Sequence, residues 1–156
     1  MSARRSLDRM RRRVLQGVGA FAMITCVPAR AADSELPAIP ALTKFLAGRP
    51  TRRERIRLDL PRLADNGFAV PMRITVAGPF APGPFVRTIA VFSEINPVAD
   101  MAVFDFPLPL ERIEIDSRIR LAGTQRVVAV AELTDGNLLA AAMEVVVTLA
   151  GCMDGT

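Results

Sequence analysis

The sequence predicts an all-β protein, an antiparallel β-sandwich of about seven strands with a short helix ahead of it. Three observations carry this. Apolar residues recur with period two from Arg55 onward, later apolar runs are rich in β-branched residues, and clusters of Gly, Pro, Asn and Asp separate the runs. No internal repeat or low-complexity segment interrupts the pattern.

Residues 1–31 stand outside that domain. "RRRVLQGVGAFAMITCVPARAA" has a basic start, an apolar stretch from Val14 to Val27 and the small-x-small triplet Ala29-Arg30-Ala31. That is the layout of a secretory signal with cleavage after Ala31. Arg11 and Arg12, followed by Arg13, Val14 and Leu15, fit a twin-arginine pattern, with an ordinary secretory signal as the alternative. The apolar stretch is shorter than the ~20 residues a spanning helix needs, which argues against stable membrane insertion. Cys26 follows Met23-Ile24-Thr25, a poor context for lipid attachment, and leaves with the signal. Either way, the expected destination is outside the cytoplasm.

Removing the signal changes the charge. Of 20 basic and 16 acidic residues, seven arginines and Asp8 lie in residues 1–31, leaving 13 and 15 and a net charge of −2. The basic excess therefore belongs to the export signal and supports no nucleic-acid partner. The remaining 125 residues, Ala32 to Thr156, suit one domain and are enough to bury a core without disulfides.

Residues 32–54 read as a helix and linker. Pro37 and Pro40 suit an extended start or a first helical turn, Leu42, Phe45 and Leu46 fall at helical spacing, and Gly48 is a stop. "RPTRRERIR" reads as a solvated connection. Residues 55–149 hold the strands. "RIRLDL" alternates Ile56, Leu58 and Leu60 with charge, "VPMRITV" alternates Val70, Met72, Ile74 and Val76, and "RIEIDSRIRL" puts Ile113 and Ile115 on one face. "FVRTIAVFSE", "MAVFDF", "RVVAVAEL" and "LLAAAMEVVVTL" complete the seven, separated by turns such as "DNG" and "TDGN". Leu138 to Met143 could be helical by propensity, but Val145 to Thr148 favour strand. Seven strands at this spacing describe an Ig-like sandwich.

Most chemistry is excluded by composition. There is no histidine, so Ser-His-Asp and Cys-His systems are impossible, and one remaining cysteine makes no Cys/His metal cluster. No glycine-rich phosphate loop precedes a helix, and no cofactor is indicated. Glu111, Glu114 and Asp116 read as a solvated strand face. Arg55, Arg57, Arg118 and Arg120 read as exposed strand positions, with an anionic ligand or partner as the alternative. Phe80, Phe85, Phe104 and Phe106 divide between core and interface in a way that pattern alone does not assign.

What remains is Cys152 in "VVVTLAGCMDGT". Chemistry allows three uses: a stray thiol, an interchain disulfide in a structural module, or a covalent attachment point on an arm. A free-standing cysteine enzyme is disfavoured, because Asp154 and the terminal carboxylate oppose thiolate formation and no basic residue follows Arg126. Three extended residues beyond Leu149 reach roughly 10 Å, and Gly151 suggests a thin, flexible arm spanning residues 150–156.

Several stretches together resemble one family, SoxY, the sulfur-bearing subunit of the bacterial thiosulfate-oxidising system. They are "IRLDLPRLADNGFAVPMRITV", "IAVFSEINPVADMAVFDF", "SRIRLAGTQRVVAVAELTDG" and "VVVTLAGC", covering Ile56 to Cys152 in order. The resemblance implies a periplasmic heterodimer with a SoxZ-like subunit and a non-catalytic carrier role. Cys152 would hold sulfur delivered through a haem-containing SoxAX-type enzyme. A SoxB-type hydrolase would then release sulfate, and a SoxCD-type dehydrogenase would in some organisms oxidise the remaining sulfur. The carrier arm would comprise Ala150, Gly151, Met153 and Asp154 around that cysteine. The family's usual arm reads Gly-Gly-Cys-Gly-Gly, and here Met153 and Asp154 add bulk and charge.

Overall fold

The computed structural model describes residues 36–78 and 82–151, all within one compact unit. The expected signal at residues 1–31, with Arg11 and Arg12, lies outside them, as do Phe80, Cys152, Met153 and Asp154.

Helix α1, Pro40–Leu46, opens the described chain. Pro40 sits in its first turn, where an absent N–H costs nothing. Ala47 and Gly48 both take positive φ and end it, and the Ala47 N–H donates to the Thr43 carbonyl. Strand β1 (Thr51–Arg52) follows, then β2 (Ile56–Asp59), β3 (Leu63–Ala64), β4 (Val70–Ala77) and β5 (Val86–Ser93). The rest are β6 (Asp100–Asp105), β7 (Arg112–Ile119), β8 (Gln125–Leu133) and β9 (Leu138–Val147).

Two sheets make the Ig-like sandwich that the period-two pattern predicts. The smaller has the order β2-β4-β7; the larger has the order β1-β9-β8-β5-β6, with β3 also paired to β9. All seven expected strands are present. Ile56, Leu58, Val70, Met72, Ile74, Val76 and Ile113 bury one face of the smaller sheet. They meet Ile89, Val91, Val127, Ala129, Ala131, Leu139 and Val145 of the larger. The segment that propensity left open as a helix is strand β9, antiparallel to β8 with Ala129 opposite Ala141. Its β-branched end and the Asp135-Gly136 turn decide it. Gly136 takes φ +84°, and its N–H donates to the Leu133 carbonyl.

Two features depart from the sequence reading. β1 and β3 are two-residue strands, both parallel to β9 and too short to show a period. The chain therefore touches the larger sheet, crosses to the smaller for β2, and returns. The second is the place of α1. It covers the outer face of the larger sheet, where Ile39 and Leu42 are almost fully buried against Ala90, Phe92, Val128, Val130, Leu138 and Ala140. Phe45 tilts against Phe92 with ring centroids 5.5 Å apart. Covered on both faces, β8 needs no polar alternation, and that is why "VVAVA" reads as a continuous apolar run.

The charged connection after α1 is only partly solvated. The Arg49 guanidinium donates to the Glu132 carboxylate at 2.8 Å and to the carbonyls of Phe45, Leu46 and Gly136. It ties the helix end to the β8–β9 hairpin.

Candidate functional site

From the end of β9 the described chain runs on to Gly151, the residue before Cys152. β9 is followed by Thr148, whose N–H donates to Ala64 and whose hydroxyl donates to the Asp65 carbonyl at 2.8 Å. The chain then meets the turn Asp65-Asn66-Gly67. The Asn66 side chain accepts the Phe68 N–H at 2.7 Å, a local bond that sets the turn.

Three backbone hydrogen bonds then converge. The Gly67 N–H donates to the Leu149 carbonyl at 2.7 Å, the Leu121 N–H to the Gly67 carbonyl at 2.8 Å, and the Gly151 N–H to the Leu121 carbonyl at 2.8 Å. Gly67 and Gly151 are both buried. Neither has a positive φ, so turn geometry does not demand glycine at either place; proximity does. A Cβ on Gly67 would collide with the Leu121 carbonyl oxygen and stand 2.7 Å from the Gly151 nitrogen. A Cβ on Gly151 would strike the Gly67 carbonyl group and come within 2.6 Å of the Phe68 nitrogen. All of these atoms are backbone, which cannot swing aside.

The expectation of a flexible Gly151 is therefore corrected. Its missing side chain permits a backbone to approach closely, and the residue is held on the domain. Ala150 is half-buried beside it. The reach of roughly 10 Å counted from Leu149 loses the residues that are pinned.

The Leu121 loop is itself held. Gln125, 3% exposed, accepts the Ile95 N–H through its side-chain oxygen at 3.1 Å. Its amide nitrogen donates to the Asn96 side-chain oxygen and to the Gly123 carbonyl. That Asn96 oxygen also accepts the Ala122 N–H, and the Asn96 amide donates to the Arg120 carbonyl at 2.8 Å. Thr124 adds a bond from the Val147 N–H to its hydroxyl. On the rim, hydrogen bonds from Arg126 hold the Glu94 carboxyl below the usual range. Asn96, Gln125, Gly67 and Leu121 all lie in the stretches that carried the family resemblance, but their part in supporting the chain end was not read from them. An amide pair with one buried and one half-buried member leaves no periodic trace in sequence.

The other candidates fall elsewhere. Glu114 and Asp116 lie on the exposed face of β7 and pair with Arg73, at 3.6 and 2.6 Å. Arg57 pairs with Asp59, and Arg112 with Glu114. The outer face of the smaller sheet is thus a mixed-charge ladder, which supports the reading of solvated strand positions. Arg120 sits one residue from Leu121, close in sequence to the chain-end contact. Phe85, Phe104 and Phe106 are half-buried against the main core.

Comparison with known proteins places the architecture. The family model "Sulfur oxidation protein SoxY" matches residues 42–152. The sulfur carrier protein SoxY from Chlorobium limicola f thiosulfatophilum superposes with a TM-score of 0.57 at 30% identity, over 70% of this chain and 94% of that one. Superoxide reductase (neelaredoxin) from Ignicoccus hospitalis gives a TM-score of 0.47 at 14% identity, over 60% of this chain and 80% of that one. Superoxide reductase from Nanoarchaeum equitans gives 0.43 at 12%, over 62% and 100%. No curated protein sequence matches. With a family match running from the helix to the cysteine and a sandwich of the same build, this chain belongs to the SoxY family.

Proposed function

We propose that this protein is an exported, non-catalytic sulfur carrier that holds thiosulfate-derived intermediates on Cys152. The observation that carries the reading is the reach of the family match, which extends to Cys152 itself. The absence of histidine from the whole chain agrees with a carrier, since a covalent arm borrows its acid, base and electron acceptor from the enzymes it visits.

The Cys152 thiolate and thiosulfate join through a sulfur–sulfur bond, giving a cysteine S-thiosulfonate and releasing two electrons to a haem-containing, SoxAX-type enzyme. Water then cleaves the terminal sulfur–sulfonate bond in a SoxB-type hydrolase, releasing sulfate and leaving a persulfide on Cys152. A SoxCD-type dehydrogenase is the further oxidant where one is present. A SoxZ-like subunit is the expected heterodimer partner, and the periplasm the expected compartment.

Intact mass of the protein recovered from the periplasm of thiosulfate-fed cells tests this, before and after reductant and beside Cys152→Ser. Reductant-removable additions of sulfur, or of sulfur with sulfonate, are expected on the wild type and absent from the serine variant. A clean thiol, or a disulfide joining two chains, would overturn the carrier reading in favour of an Ig-like structural module.

A further inference from the structure

The two buried glycines carry an inference about how the cysteine is presented, and it rests on the carrier reading above. We infer that Gly67, Leu121 and Gly151 form a clasp that fixes the root of the carrier arm at Gly151. Gly67 and Gly151 then act as positioning residues for a cargo that neither touches.

The argument is steric and entropic. Residues 149–151 run back across the Asp65–Gly67 turn and the Leu121 loop, bound by the hydrogen bonds Gly67 to Leu149, Leu121 to Gly67 and Gly151 to Leu121, at 2.7–2.8 Å. Two backbones lie in direct contact at Gly67 and Gly151, closer than any side chain permits. Each pinned residue removes conformational freedom from the chain leading to Cys152, which raises the effective concentration of the thiol at a docked enzyme. The Asn96–Gln125 amide pair behind the loop keeps Leu121 from yielding, because moving it would strand the buried Gln125 amide and its half-buried partner Asn96. The same loop offers an internal contrast. A Cβ on Gly123 would meet only the terminal methyl of Ile95, at 3.3 Å, and that side chain is half exposed.

The clasp is tested with the full chain carrying Cys26→Ser, so that a thiol-specific nitroxide goes to Cys152 alone. Amide hydrogen exchange of the unlabelled protein is read alongside the nitroxide mobility. In the wild type the Gly151 amide should exchange at least a hundredfold slower than an unstructured one. Gly67→Ala and Gly151→Ala should each bring residue 151 to within about threefold of the unstructured rate and at least halve the nitroxide correlation time. Amides of Val127 to Val130 should stay protected, and Gly123→Ala should change neither readout. Should Gly67→Ala fail to fold, Gly151→Ala and the wild-type exchange rate still decide the matter. An unprotected Gly151 amide in the wild type would overturn the clasp, as would Gly151→Ala leaving the nitroxide unchanged. Adduct mass is read separately, so an arm that is clasped but unloaded, and one that is loaded but loose, are told apart.

Discussion

Glu132 shows how much a single side chain contributes to holding the N-terminal segment on this fold. Its carboxylate is largely covered and accepts from both Arg49, at 2.8 Å, and Arg87, at 2.9 Å. Partial burial pushes the carboxyl up, but the two arginine hydrogen bonds more than offset it, so Glu132 ionises below the ordinary glutamate range. A carboxyl depressed in the folded state stabilises above its unfolded pKa, about 4.3, and loses that contribution as pH falls through the folded value. Glu132→Gln should therefore cost about 1–2 kcal/mol at pH 7. The gap from wild type should narrow below about pH 4. Urea midpoints from pH 3 to 7 measure this, and parallel curves would assign the pH dependence to other groups. Arg49 lies in a charged run that sequence alone reads as solvent-facing, and only the fold brings Glu132 beside it.

At the scale of elements, α1 is a lid on a sheet. Seven residues make no stable helix in isolation, so its order comes from packing. Leu42 is 1% exposed, and Leu42→Ala should lower the unfolding free energy by about 3 kcal/mol through lost burial and the cavity left behind. Circular dichroism in urea reads the loss; a change under 1 kcal/mol would mean that the helix contributes little to closing the sheet. The helix itself was legible from the spacing of Leu42, Phe45 and Leu46. Its resting place was not, because an apolar stripe states that a face is buried without stating against what. The continuous apolar runs of β5 and β8 were the one available signal that their sheet is covered twice.

For the whole molecule, the proposed carrier function rests on the segment around Cys152. Where the family's usual arm has two trailing glycines, this sequence has Met153 and Asp154, a long side chain and a negative charge next to the proposed attachment point of an anionic cargo. Replacing Met153 and Asp154 together by glycine should raise the fraction of Cys152 loaded by partner enzymes from a SoxY system with a Gly-Gly tip, by at least threefold. Intact mass after a fixed exposure to those enzymes and thiosulfate is the measurement. Equal loading would show that client channels tolerate this tip as it stands.

The sequence by itself determined the sandwich, its seven main strands, the buried face of each alternating strand and the family to which the chain belongs. It could do so because period-two alternation and turn residues are local, and a family pattern is a string. The tertiary structure alone decided that β1 and β3 flank β9, that α1 seals the outer sheet, and that Arg49 meets Glu132. It also reversed the meaning of one residue. Gly151 reads in sequence as slack in an arm, yet in the fold it lies against Gly67 because two backbones meet there with no room for a Cβ. A glycine is the same letter whether it lends freedom or permits contact, and only the position of the other chain segment distinguishes the two.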